Sequence, residues 1–322
     1  MTTRRQFLVA SVLGALSIGD ARAQGRLVRI GMLGARPSKQ SFYAPGVVRR
    51  LAELGYRDGT TMMLEDRAAE GVAERYPALA RELVEAKCDL VFAIGSEHSV
   101  RALQGVRSSV PIVFLAVDYD PLERGIVTSL SKPDRNTTGV YIPMGQLAAK
   151  RLEILREIVP HARRFLVLSD AFSKDQLGPL RDTARAAGVQ LTVIEFDRRP
   201  YDFAAAFESA RQARAEGFIA LASPVFASAE FGGLLAAHKL PSAGWSSSIA
   251  RMGFLVGYSE DNAKVSRRAA DIGARILKGT KPSDIPVEQA DEFEMVVNVT
   301  AARALGVKIP ESVMARATRI VQ

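Results

Sequence analysis

Asp89-Leu90-Val91-Phe92-Ala93-Ile94 and Pro111-Ile112-Val113-Phe114-Leu115-Ala116-Val117 are two unbroken apolar runs. Neither shows the alternation of a half-exposed strand. Such runs suit strands buried on both faces, in a parallel sheet covered by helices. Between them, Glu97–Val106 places Val100, Leu103 and Val106 on one side of a short helix. Strand, helix and strand make one βαβ unit with a right-handed crossover.

The same alternation extends in both directions. Upstream, Leu27–Leu33 and Thr61–Glu65 read as strands. Helices are expected from about Phe42 to Leu54 and over Ala73–Ala86, where Tyr76, Leu79, Ala80 and Leu83 share a face. Downstream, strands are expected at Phe165–Leu168, Gln190–Glu195, Phe218–Ala222 and Phe254–Val256. Helices are expected at Gln146–Val159, Asp175–Ala187, Phe203–Ala215, Ser228–Ala237 and Asp261–Leu277. Gly188, Gly217 and Gly279 fall where three of these helices stop. Two such sets predict an α/β chain of two doubly wound parallel-sheet lobes. Candidate crossings near Asn136–Gly145, Gly257–Glu260 and Lys281–Glu288 give a three-segment hinge. The expected division is 1–25 as an export signal, 26–139 with 259–283 as lobe 1, and 140–258 with 284–322 as lobe 2.

Several segments resemble one family in order and spacing. They include Leu51-Ala52-Glu53-Leu54-Gly55-Tyr56, Arg75-Tyr76-Pro77-Ala78-Leu79-Ala80, Val110-Pro111-Ile112-Val113-Phe114 and Asn136-Thr137-Thr138-Gly139. Ile276-Leu277-Lys278-Gly279-Thr280-Lys281-Pro282 and Ala304-Leu305-Gly306-Val307-Lys308-Ile309-Pro310 complete the set. The chain resembles the periplasmic substrate-binding components of ABC transporters, in the group that includes tryptophan/phenylalanine-binding proteins. The resemblance implies a type I periplasmic-binding fold, solute capture between lobes, and delivery to a membrane permease. The chain departs from the family pattern at Gly95-Ser96-Glu97-His98, Asp118-Tyr119, Asp134-Arg135 and Ser169-Asp170-Ala171-Phe172. Most of these loops lie where the ligand should sit.

The N-terminus adds an address. Arg4 and Arg5 precede an apolar run from Phe7 to Ile18, and Ala21-Arg22-Ala23 follows. That is an export signal with cleavage expected near Ala23. The run is about 12 residues, and a membrane span needs roughly 20. Thr3-Arg4-Arg5-Gln6-Phe7-Leu8 also fits a twin-arginine signal, and a general secretory signal is the alternative. The expected location is the periplasm, with no direct membrane anchor.

The net charge is +8, with the basic residues dispersed rather than in blocks. A solvated surface explains this better than nucleic-acid binding. Cys88 is the only cysteine, so no intrachain disulfide forms and the cores must carry stability. The three histidines show no metal spacing, and no nucleotide-binding or nucleophile motif is present. No cofactor and no metal are expected, and the chain is read as a monomer rather than an enzyme.

Ligands of open α/β sheets bind at the carboxyl ends of strands. Candidate aromatic walls there are Tyr43, Tyr141, Phe172, Phe226, Trp245 and Tyr258. Phe226 reads slightly better as a helix staple. Ser38, Ser96, Ser173 and Ser246 are candidate donors, and each also reads as a helix cap. Glu97, Asp118 and Asp170 are candidate partners for a ligand ammonium, each also a plausible cap acid. Asp120 reads as a turn residue before Pro121. Beside solute transport, two other functions fit a clamshell: a sensor signalling to a membrane receptor, and an interlobe enzyme.

Overall fold

The computed structural model describes residues 27–117, 119–133, 135–198, 200–223, 226, 229–246 and 253–322. In chain order the elements begin β1 (Val28–Gly34), α1 (Ala44–Glu53), β2 (Met62–Ala68), α2 (Tyr76–Glu85), β3 (Leu90–Gly95), α3 (Glu97–Gly105), β4 (Ile112–Ala116) and β5 (Thr137–Tyr141). There follow α4 (Met144–Ile158), β6 (Arg164–Asp170), α5 (Leu177–Ala186), β7 (Gln190–Phe196), α6 (Phe203–Gln212), β8 (Gly217–Ala220), α7 (Ala229–His238), β9 (Ser242–Gly244) and β10 (Val256–Glu260). The chain ends with α8 (Asn262–Leu277), β11 (Glu288–Gln289), β12 (Phe293–Asn298), α9 (Val299–Leu305), α10 (Glu311–Arg316) and β13 (Arg319–Val321).

Two sheets result, and the expected α/β architecture of two lobes is present. The first has the order β11-β5-β4-β3-β1-β2 and is parallel throughout. We call the half built on it lobe 1. The second, the basis of lobe 2, has the order β13-β12-β10-β9-β8-β6-β7. Both apolar runs that predict a parallel sheet, Leu90–Ile94 and Ile112–Ala116, are buried along their length.

One departure has a topological cause. β12 runs antiparallel to β10, and β13 runs parallel to β12. β10 leads out of lobe 2, and residues 290–292 return beside it, with the Asp261 amide donating to the Glu292 carbonyl at 3.0 Å. A strand that comes back along the path of departure must run the opposite way. The crossings also lie away from the expected borders. The border at 139/140 falls inside β5, which stays in the first sheet through Tyr141. That at 258/259 falls inside β10, and that at 283/284 precedes β11, whose Gln289 pairs with Tyr141.

Local chemistry sets the boundaries. Ser96, Asp202, Asp261 and Asn298 cap α3, α6, α8 and α9 with side-chain oxygens on free backbone amides. Pro77 starts α2 at Tyr76, so the expected helix from Ala73 begins instead as a short 3-10 turn, Ala73–Arg75. Gly217 does not end α6. Arg214 takes the left-handed conformation there, and Gly217 opens β8 where the Phe165 ring leaves no room for a Cβ. Among the described residues no helix is long and apolar enough to cross a membrane.

One apolar cluster runs through both lobes, from Ile30, Phe92 and Leu115 to Phe203, Phe218 and Trp245. It places the lobes in contact across the cleft.

Candidate functional site

Strands β1, β3 and β4 end at Gly34, Gly95 and Ala116, and their following loops face lobe 2. A pocket of about 130 Å³ opens there, lined among others by Arg36, Ser38, Phe42, Tyr43, Asp66 and Val117. The turn after β1 is held by the Ser38 amide, which donates to Asp66 Oδ2 at 2.8 Å. Ser38 is buried, and Pro37 rather than Ser38 precedes the turn Ser38–Gln40. Arg36 and Phe42 are exposed, so one pocket carries a cation, a carboxylate and apolar walls.

The residues lining this pocket belong to lobe 1, and Trp245 of lobe 2 touches it through Phe42. Its ring stands edge-on to Phe42, with centroids 5.6 Å apart and planes at 81°. The indole is 8% exposed, yet its Nε1–H has no hydrogen-bond partner among the described residues. A buried donor without an acceptor is costly. Ser246, the next residue, is also buried.

The structure therefore brings Ser38, Tyr43 and Trp245 together and adds Arg36, Phe42 and Asp66, which sequence reasoning missed. Phe42 had a readable signal: it follows β1 directly before Tyr43 and is apolar on an exposed loop. Asp66 had none, since its role depends on a turn 28 residues away.

Other candidates are placed elsewhere. Ser96 caps α3, accepting from the His98 amide at 3.3 Å. Glu97 pairs with Arg101 at 2.9 Å and Arg124 at 3.4 Å and lines a groove between α2 and α3. Its carboxylate is neutralised by arginines and not directed to the cleft pocket. Arg124 also pairs with Asp175, bridging the lobes. Asp118 lies outside the described residues, as does the expected export signal.

Tyr141 donates to Gln289 Oε1 at 2.6 Å, tying β5 to β11. It also lines a pocket of about 140 Å³ between the lobes, with Tyr119, Asp120, Gln146 and Asp175. Asp120 accepts from the amides of Leu122 and Glu123, as a turn residue does. Tyr258 is not at a strand end. β10 continues through Glu260, so Tyr258 lies mid-strand against Phe293 and beside Lys150 and Arg316. Phe226 is fully buried among Tyr201, Phe203 and Phe231, so it is core and not wall.

Asp170 ends β6 as the centre of a buried network. Oδ1 accepts from the Phe172 amide at 3.1 Å and Ser173 Oγ at 2.8 Å. Oδ2 accepts from Ser223 Oγ at 2.6 Å and, weakly, Tyr201 O–H at 3.5 Å. A carboxylate offers about four acceptor sites, and these bonds take them. Asp170 and Ser173 thus shape the lobe 2 loop, with Phe172 half-buried beside them.

A second buried polar group stands at the hinge. Tyr43 O–H donates to Glu260 Oε1 at 2.5 Å. Arg151, on the apolar face of α4 and 0% exposed, donates from Nε to the Tyr258 carbonyl at 2.9 Å. Burial pushes the Glu260 carboxyl above its ordinary range and the Tyr43 phenol well above its own. Burial lowers Arg151 to about 10, so it stays cationic at neutral pH. Glu260, 3% exposed, is the first of the charged groups acting on it.

The comparisons with known proteins bear on the family and the fold. The family profile described as ABC transporter substrate binding protein matches residues 36–321, and the chain belongs to that family. A tyrosine-binding protein of Clostridioides difficile is 26% identical over 271 residues, covering 81% of this chain and 75% of that protein. An ABC domain from Streptococcus pneumoniae in complex with L-Trp superposes with a TM-score of 0.78 at 23% identity. That match covers 92% of this chain and 100% of the other. A conserved domain protein of Vibrio cholerae gives 0.78 at 26% identity, with the same coverage. Family membership makes the chain a solute-binding protein that works with an ABC permease, and not an enzyme.

Proposed function

We propose that the chain is exported, loses its leader near Ala23, and captures an amino-acid-like solute between its lobes for import through a membrane permease. The observation that carries this is the pocket at the carboxyl ends of β1, β3 and β4, where Arg36, Asp66 and an aromatic wall converge. Arg36 complements a carboxylate and Asp66 an ammonium. Phe42, Tyr43 and Trp245 cover an apolar or aromatic side chain. Ser38 holds the turn that sets the distance between the two charges. Ligand binding then draws on an existing open–closed equilibrium, only as far as the ligand prefers the closed state.

A thermal-shift screen of amino acids and aromatic carboxylates on the chain from Gln24 onward tests this. A matching solute raises the melting temperature in a dose-dependent way, by about 2.7 kcal/mol of stability at a hundred times its Kd. Zwitterionic amino acids are expected to outrank both their amides and their deaminated analogues. Equal shifts for all three would remove Arg36 and Asp66 from the site.

A further inference from the structure

The hinge group contains more hydrogen-bonding capacity than it uses. Among the described residues, Arg151 Nη1 and Nη2 and Glu260 Oε2 are buried without partners. A guanidinium has five N–H donors, and Arg151 uses one of them here, on the Tyr258 carbonyl. Leaving the others unmet inside the fold is costly, and so is an unmet carboxylate oxygen. Arg151 is tied to the Tyr258 carbonyl, two residues before Glu260 on β10, so the two groups of opposite charge stand at the same end of one strand. Yet, among the described residues, the one side-chain bond that Glu260 makes goes to Tyr43.

These partners belong to different bodies. Tyr43 precedes α1 in lobe 1, and its carbonyl is tied to α8 by Ser266 Oγ at 3.0 Å. Arg151 belongs to α4, which packs on the second sheet. Glu260 is the last residue of β10, one step before Asp261 caps α8 and the chain enters lobe 1. Its carboxylate therefore stands where the lobes turn against each other. Tyr43 also lines the cleft pocket.

From this arrangement we propose that Glu260 is a two-position hinge switch: it bonds Tyr43 while the lobes are in contact, and turns to Arg151 when they part. Leaving Tyr43 gives up one hydrogen bond, and reaching Arg151 satisfies two charged groups at once. The near balance keeps both lobe positions accessible without ligand. A solute that fixes the Tyr43 ring in the pocket holds Glu260 on its side and favours closure. Tyr43 is then a positioning residue that reports occupancy to the hinge, a role that rests on the cleft reading above.

The test needs no solute, so it stands apart from the assignment of the ligand. Spin labels at Glu74→Cys in lobe 1 and Asp182→Cys in lobe 2 report the interlobe distance by electron–electron resonance. Both positions are exposed. Cys88 is buried with its thiol pushed up to about 11, so it escapes labelling. Tyr43→Phe removes the closed-state bond and is expected to shift the open:closed ratio about five-fold toward open. Glu260→Gln and Arg151→Gln weaken the open-state pair and are expected to shift it about five-fold toward closed. Glu260→Gln is nearly isosteric and keeps the test alive if Arg151→Gln does not fold. Opposite signs are required. A shift in the same direction for Tyr43→Phe and Glu260→Gln, or no shift in either, would overturn the switch.

Discussion

Trp245→Ala is expected to weaken solute binding on the order of 100-fold, while the chain remains folded. The argument starts from area. An indole contributes roughly 150–250 Å² of contact surface, and an edge-to-face pair adds about 0.5–1.5 kcal/mol beyond burial. The indole is already buried against Phe42 of the other lobe, so losing that interlobe contact disfavours the closed state that holds the solute, at a cost of about 2–3 kcal/mol. Trp245→Phe separates the two contributions. It keeps an aromatic edge toward Phe42 and loses the N–H that has no acceptor among the described residues. Its affinity should fall by about five-fold if the ligand accepts that hydrogen bond. Calorimetric titration with the solute found by thermal shift measures both. Unchanged affinity in Trp245→Ala would remove this side chain from the site.

Gly139→Ala is expected to cost at least about 3 kcal/mol of stability. Gly139 pairs with Phe114 in the first sheet, on the strand that leads to the first crossing. A Cβ there would lie 2.1 Å from the Phe114 carbonyl oxygen and 2.7 Å from its amide nitrogen. Backbone atoms of a central strand have nowhere to go, so the strand pair must separate. Gly233→Ala is the matched control. It sits inside α7, where nothing lies within 4 Å of an added Cβ. Alanine there should gain about 0.5–1 kcal/mol through helix propensity. Urea denaturation of both variants checks the pair. A mild Gly139→Ala would mean that β4 and β5 are not packed as described.

The fold was legible because parallel strands leave a local trace. Leu90–Ile94 and Ile112–Ala116 are apolar without interruption since helices cover both faces. β9, β12 and β13 leave no such trace. β9 spans three residues, β12 is broken by the half-exposed Glu294, and β13 is an exposed edge. The reversal of β12 is written in the path of the chain across the hinge, which no local window contains.

The site divides along the same line. Ser38, Tyr43 and Trp245 follow strand ends, and topology alone sends such loops to the cleft. Tyr258 was misplaced because β10 starts later and runs further than Phe254–Val256. Glu97 was a reasonable ammonium partner until Arg101 and Arg124 took it. Arg151 did leave a mark. It falls on the same helical face as Leu147, Ala148, Leu152 and Leu155, all of them buried. An arginine on an apolar face is a buried charge in search of a partner. That partner, Glu260, lies 109 residues further on, and only the folded hinge brings the two within reach of one another's charge.

Trp245 is the only tryptophan in the chain, so its emission is a built-in probe of the cleft. The decisive measurement is a fluorescence titration with each non-fluorescent solute that raises the melting temperature, read beside calorimetric stoichiometry. Capture between the lobes predicts a saturable change in emission at one solute per chain, with the same Kd by both methods. A solute that binds by calorimetry and leaves the emission of Trp245 unchanged would place the ligand outside the gap between lobes.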